Sequence, residues 1–430
     1  MKTEYKLKCL GTGTAIDDID MELESGISDN PALLRAIYEE KQLDLDAKHD
    51  GLFRFASWLP IRTILNGSSS PHTYQSEKLA SHLGLSNLFI TFSGYWPERG
   101  VEMVTGTFKE CEAYSVCARL PVDFSDTLVV ASAGNTARAF INVCSRNAIP
   151  LVVVVPEAAL ENLWADHEIN PCVKIVAVTG EADYFDAIAV SEKICSLDGY
   201  RAEGGAKNVA RRDGMGSTVL SAVTAIGEIP SYYFQAVGSG TGAIAAWEAN
   251  RRLIADGRFG DRKMKLIVSQ NDPFLVIYDS WRAGSRALVE LNPEQARAKV
   301  AKAYAKVLSN RKPPYGLIGG LYDALVDSDG DVLRANNEEA ETAAALFEEL
   351  EGIDLAPAAA VAVASLQQAV ANDVVTKDEI IMLNVTGGGY KTARKLLDLR
   401  SVEPDLLIAP DRLDLDEIER SMATLHAGVR

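Results

Sequence analysis

The sequence predicts an α/β protein of two lobes with a cleft between them, and three observations carry that expectation. Strand-like runs near 5 residues alternate with helical stretches of roughly 10 to 15, the pattern of βαβ units around a parallel sheet. The alternation occurs twice, over about residues 127–197 and again over 217–384. Several strands, such as Leu151 to Val155, are unbroken apolar runs, which suits strands covered by helices on both faces. The 430 residues give room for two to three lobes of roughly 150 residues each.

Taken in order, residues 1 to about 50 carry the least pattern. Ile16 to Ser28 is acidic and reads as a mobile loop. Pro31 to Leu45 has helical spacing at Leu33, Leu34, Ile37 and Leu43. Asn66 to Pro71 is a loop, Ser76 to Leu83 a short helix stopped by Gly84, and Leu88 to Phe92 a strand. In the first series, Thr127–Ala131, Leu151–Val155 and Val173–Val178 are strands, with helices over Thr136–Asn147 and Asp183–Leu197. In the second, helix Ser217–Ile226 ends at Gly227, strand Tyr232–Val237 precedes helix Ala243–Ala255, and Lys265–Ser269 is a strand. Phe274–Ala305 reads as largely helical, as do Glu338–Leu350 and Ala358–Ala371. Ile380–Asn384 is a strand entering three glycines.

Composition narrows the function. A net charge of -17 argues against a nucleic-acid or anionic-membrane binder, since phosphate backbones need clustered Lys and Arg. The N-terminal residues have no apolar core of a signal peptide, and no run spans a bilayer. The six cysteines (Cys9, Cys111, Cys117, Cys144, Cys172, Cys195) are scattered, as expected of reduced thiols in a cytoplasmic protein. The five histidines are dispersed too, so no metal site is expected.

Four segments could carry chemistry. Ser132-Ala133-Gly134-Asn135-Thr136 lies between a strand and a helix, where free N–H groups and the helix dipole suit a carboxylate or phosphate. The same residues would equally serve a tight turn capped by Asn or Thr. Gly238-Ser239-Gly240-Thr241-Gly242 occupies a second such position. Its glycines admit an anion close to the backbone, and Ser239 and Thr241 add hydroxyl donors. Ala243 also completes G-x-G-x-x-A, the dinucleotide pattern. Against that reading, Asp272, the acid after the next strand, falls later than the usual ribose ligand. Glu203 to Gly216 is a glycine-rich loop concentrating Lys207, Arg211 and Arg212, groups that bind phosphate or carboxylate. They would otherwise pair with Glu203 and Asp213 at an exposed helix end. Thr386, before Gly387-Gly388-Gly389, would be able to bond a ring nitrogen.

With Thr107-Phe108-Lys109 ahead of them, these segments follow the order of motifs in the fold type II pyridoxal phosphate enzymes, and the chain resembles that family over roughly residues 70 to 395. Thr105-Gly106-Thr107 is similar to the wording before the lysine in threonine synthase, although Glu110 stands where that enzyme has Asp. Other stretches resemble the branch of the threonine synthase family that joins sulfite to O-phosphoserine. These are Phe55 to Pro60, Phe92 to Glu98, Glu203 to Gly216, Tyr233 to Gly242, Pro313-Pro314-Tyr315 and Gly319 to Asp327. Cys9 lacks the second cysteine such enzymes tend to carry nearby.

The resemblance implies a tryptophan synthase β-like fold with parallel and mixed sheets and an active site between lobes. Residues 1–110 and 206–430 would form the large cofactor-binding domain, with an N-terminal extension to about residue 55. Residues 111–205 would form a smaller mobile domain. Lys109 would hold pyridoxal phosphate covalently and act as the catalytic base. Asn135 would contact the ring oxygen, Gly238, Ser239, Gly240, Thr241 and Gly242 the cofactor phosphate, and Thr386 the ring nitrogen. Ser132, Ala133, Gly134 and Thr136 would take the substrate carboxylate, and Lys207, Arg211 and Arg212 the leaving phosphate or sulfite. The implied reaction is replacement of the phosphate of O-phosphoserine by sulfite in a homo-oligomer, a dimer in the family, for coenzyme M synthesis. A threonine synthase, or a β- or γ-replacement with another nucleophile, stays open at this stage. So do a silent ligand-binding protein and a nicotinamide-dependent oxidoreductase.

Overall fold

The structure, a computed structural model, describes residues 2–26, 31–46, 48–132, 134–409 and 414–427. Two sheets set the architecture. The smaller has five parallel strands, ordered Tyr200–Ala202, Thr127–Ala131, Leu151–Pro156, Val173–Val178, Leu406–Ile408. The larger has six, ordered Asp331–Ala335, Lys265–Asn271, Tyr232–Ala236, Ile380–Val385, Asn87–Phe92, His72–Gln75. Only its last pair is antiparallel.

The valine run behaves as its composition demands. Every residue of Leu151–Pro156 is buried. Val152 and Val154 enter the core shared with helices Tyr184–Ile194 and Leu415–Ala427, while Val153 and Val155 enter the core on the other face. The strand Leu406–Ile408 joins this sheet from outside residues 111–205, pairing Val176 with Leu406. Asp405 fixes the junction by accepting from the Ile175 amide (2.8 Å).

Three sequence expectations are corrected. Residues 34–38 are a strand, not a helix: Leu34, Ala36 and Tyr38 are buried while Ile37 is exposed, a period of two. This strand pairs antiparallel with Tyr5–Cys9. Residues 209–226 form one helix, so the glycine-rich stretch is a loop only to Asn208. Asn208 caps that helix by accepting from the Ala210 amide (3.0 Å). Gly214 lies inside it for packing: a Cβ there would stand 2.4 Å from the Cys111 carbonyl oxygen on the neighbouring helix Lys109–Arg119. The 274–305 stretch breaks into helices Val276–Arg282 and Pro293–Lys302, the second started by a proline at its first turn.

The acidic stretch after Ile16 is a loop through residue 26, and Ser28 lies outside the described residues. It is tied down rather than free. Asp18 receives two bonds from the buried Arg119 (2.8 and 2.7 Å), and Glu24 pairs with Lys207. The N-terminal sheet is welded to the large lobe through Arg35 to Glu248 (3.1 Å) and the Tyr38 hydroxyl to Asp213 (2.5 Å). Among the described residues no helix is long and apolar enough to cross a membrane.

Candidate active site

Helix Lys109–Arg119 lies between the lobes, packed on helix Val209–Ile226 and on helix Asn135–Arg146. It is buried from Glu110 to Arg119, with the charged Glu110, Glu112 and Arg119 among small and apolar residues. Lys109 is its first residue. The chain reaches it through backbone pairing with the loop after strand Ile380–Val385: the Phe108 amide donates to the Thr386 carbonyl (3.0 Å) and the Gly388 amide to the Gly106 carbonyl (3.0 Å). Gly387 permits this approach, because a Cβ there would lie 2.8 Å from the Gly106 oxygen. Two of the predicted segments are thus joined directly.

The glycine turn 238–242 leaves strand Tyr232–Ala236, which neighbours Ile380–Val385 in the sheet. Gly238 and Thr386 therefore follow the C-terminal ends of adjacent parallel strands, where open α/β sheets place their ligands. The turn opens helix Thr241–Asp256, whose Ala245 packs on Phe108 and Met215. Ser239 Oγ and Thr241 Oγ1 stand 2.8 Å apart at its mouth. A Cβ on Gly238 would come within 2.9 Å of the Leu308 backbone, and one on Gly242 within 2.6 Å of the Gln235 amide.

Helix Asn135–Arg146 presents Asn135 and Thr136 at its start, with Ser132 Oγ accepting from the Gly134 amide (3.2 Å). Ala133 lies outside the described residues. The residue that binds these parts together is one that sequence reasoning missed. Glu112, fully buried, accepts from Lys109 Nζ (3.0 Å) and Thr136 Oγ1 (2.9 Å), and Arg211 stands 3.3 Å from it. Its signal was the i,i+3 spacing from Lys109, readable only once residues 109–119 are known to be a helix.

Arg138 is a second missed residue. Its guanidinium donates to the Thr105 carbonyl (2.8 Å) and to Asn135 Oδ1 (3.0 Å) and lies over Trp164, 3.6 Å from the ring centroid. Arginine only donates, so Asn135 turns its oxygen to Arg138 and its NH2 group is left for another partner.

The basic trio separates. Arg211 joins the Glu112 group and also bonds Glu203. Burial lowers its pKa, but Glu112 and Glu203 outweigh burial and hold it above the ordinary arginine value. Lys207 is half-exposed and pairs with Glu24. Arg212 is not brought to the group: it is fully buried and bonds Glu248 (2.9 Å) and the carbonyls of Ala206 and Leu34. Next to Lys109, Glu110 is buried with its carboxylate on the Thr105 amide and hydroxyl (3.1 and 2.9 Å). Burial pushes its pKa up to about 7.

A lysine at a helix start, a glycine turn opening a second helix, and a threonine at the neighbouring strand end define a class of protein. The chain belongs to the family of pyridoxal-phosphate dependent enzymes, whose profile matches residues 98–387. Within that family it is similar to the cysteate synthase of Methanosarcina acetivorans, 45% identical over 96% of this chain and 99% of that protein. It is likewise similar to the cysteate synthase of Methanoculleus marisnigri, 48% identical over 95% and 94% of the two chains. Among solved structures, maize serine racemase matches the fold with a TM-score of 0.55 at 15% identity, covering 76% of this chain and 92% of that one. Threonine deaminase isoform 2 from Solanum lycopersicum gives 0.55 at 16% identity, covering 76% and 87%.

The chain's own residues fit the cofactor. Thr107 Oγ1, two residues before Lys109, is buried without a protein partner among the described residues, as is Asn384 Oδ1 on the strand leading to Thr386. The glycines of the 238–242 turn let it pack closely, since a Cβ on Gly240 would stand 2.6 Å from Leu321 Cδ2 and one on Gly242 2.6 Å from the Gln235 amide.

Proposed function

We propose that this chain replaces the phosphate of O-phospho-L-serine by sulfite, giving L-cysteate and phosphate. What supports this reading most is the likeness to cysteate synthases along nearly the whole chain. When bound, pyridoxal phosphate supplies an electron sink for the Cα of an amino-acid substrate.

The remaining work falls to side chains and amides of the protein. Lys109 Nζ, at the start of its helix, holds the cofactor and, when free, takes the Cα proton and later returns it. The amides and hydroxyls of Gly238, Ser239, Gly240, Thr241 and Gly242 bind the cofactor phosphate at the helix start. Asn135 offers its NH2 group to the ring oxygen, and Thr386 its hydroxyl to the ring nitrogen. A hydroxyl there, in place of an acid, would leave that nitrogen largely unprotonated. Ser132, Ala133, Gly134 and Thr136 receive the substrate carboxylate. Of the three basic residues, Arg211 is the group best placed to receive the leaving phosphate or the incoming sulfite. Lys207 reaches the same anion only by leaving Glu24, and Arg212 acts through packing unless Glu248 releases it.

The 111–205 lobe closes over the substrate in this reading, and the enzyme works in the cytoplasm as a homodimer. Light scattering of the purified protein tests the dimer. For the reaction, the protein is supplied with O-phosphoserine and sulfite, and phosphate and cysteate are measured. Threonine formed from O-phosphohomoserine and water, with no cysteate, overturns it. For the cofactor role, Lys109→Ala is expected to lose the visible absorbance band of the purified enzyme; a retained band removes Lys109 from the scheme.

A further inference from the structure

We infer that Glu112 is the docking point of the Lys109 ammonium, a positioning residue that keeps the transferred proton on that lysine. The inference rests on the reading of Lys109 as the cofactor lysine and catalytic base. The carboxylate is 0% exposed and stands 3.0 Å from Nζ, whose side chain is 20% exposed. A buried carboxylate is costly without partners, and Glu112 has three: Lys109, the Thr136 hydroxyl and Arg211.

The charges fall into a defined set. Lys109 and Arg211 face Glu112 and Glu203, with Arg211 shared between the two acids. Cys111 on the same helix and Tyr184 from helix Tyr184–Ile194 also face Glu112, whereas Glu110 is turned to Thr105. From helix Thr241–Asp256 the packing is apolar, through Ala245. Glu112 is therefore the carboxylate in bonding contact with Nζ.

The consequence concerns one proton. When Lys109 is free, the Nζ lone pair takes the proton from substrate Cα and the C–H electron pair stays with the carbon. The resulting ammonium has a carboxylate acceptor 3.0 Å away, to which it donates a charge-assisted hydrogen bond. The proton is thus held on Nζ while phosphate leaves and sulfite adds, and is then returned to the same carbon. Because Thr136 donates to the same carboxylate, a carboxylate-bearing substrate at the Thr136 turn and the state of Lys109 are sensed by one group. Arg211 keeps Glu112 charge-compensated whenever Lys109 is engaged elsewhere.

The test uses Glu112→Gln, which keeps size and an acceptor but removes charge. The full chain is stripped of cofactor and its recapture of pyridoxal phosphate is followed by absorbance as a function of pH. Capture needs Nζ released from Glu112, so the variant is expected to capture the cofactor faster than wild type at the acid end of the series, which moves its rate–pH profile to lower pH. In the loaded enzyme, the acidic limb of kcat moves the same way, and less Cα deuterium from labelled substrate is retained in product. Profiles that superimpose on wild type overturn the inference. Glu112→Asp serves as second variant: it shortens the reach, and a smaller shift in the same direction is expected if the glutamine variant does not fold. An unchanged profile in that variant overturns the inference as well. Lys109→Ala separates the two readings: a retained absorbance band sinks the role of Lys109 itself, whereas a lost band with unshifted Glu112 profiles sinks only the docking role.

Discussion

Arg138 is a fully buried guanidinium without a carboxylate in salt-bridge contact among the described residues. Burial lowers its pKa, opposed by Tyr390 and Glu110. Its donors are spent on Thr105, Asn162, Asn135 and Tyr390, one from each of four chain segments around the site. Arg138→Met would fill the space but leave those acceptors dry, and unsatisfied buried groups cost about 1–3 kcal/mol each. A loss of roughly 2 to 4 kcal/mol in urea unfolding is expected, together with a changed absorbance of the bound cofactor. Glu110 makes a pH prediction. Its folded-state pKa of about 7 is above the ordinary glutamate value of 4.5, so the folded state binds the extra proton between those values. The associated stability is present below the lower value and lost as pH rises through about 7. Glu110→Gln keeps an acceptor for Thr105 and removes the titration. The variant is expected to gain on wild type by roughly 1 to 3 kcal/mol above that pH, measured by denaturation at a series of pH values.

At the scale of elements, the N-terminal sheet is held by buried ion pairs rather than by hydrophobic contact alone. Glu248 on helix Thr241–Asp256 bonds both Arg35 and Arg212. Burial raises its pKa, but Arg212 and Arg35 outweigh burial and hold it below the ordinary carboxylate value. Glu248→Ala strands two buried cations, and a loss of about 3 to 5 kcal/mol is expected, read by urea denaturation of the full chain. Elements with strong periodicity were legible in the sequence. Strands Thr127–Ala131 and Val173–Val178 keep their expected bounds, and helix Pro357–Ala371 differs by one residue. Segment 34–38 was not legible, because Leu33, Leu34, Ile37 and Leu43 mimic a helical stripe while the burial that selects a strand comes from partners at residues 5–9. Helix Lys109–Arg119 was not legible either. It is buried all round and so shows no amphipathic stripe.

For the whole molecule, the smaller sheet depends on the far end of the chain. Strand Leu406–Ile408 covers the edge of Val173–Val178, and helix Leu415–Ala427 packs on helix Tyr184–Ile194. Truncation before Val402 uncovers that strand and the apolar groups Ile408, Ile418 and Met422. An exposed, flat, valine-rich edge pairs with other chains, so the truncated protein is expected to melt at lower temperature and to aggregate, as seen by calorimetry and light scattering.

By itself the sequence determined the layered α/β architecture and the cofactor class. These depend on local alternation and on short motifs whose order survives without coordinates. It also placed Thr386 and the 238–242 turn, since each follows a recognisable strand. Tertiary structure alone decided the partners of Lys109. Glu112, Thr136 and Arg211 meet only when three helices pack together, and Gly214 allows that packing by removing a Cβ from the contact. The division of the basic residues was decided the same way. Arg211 and Arg212 are adjacent in sequence, but successive residues point to different sides of a helix, so one faces Glu112 and the other is buried against Glu248.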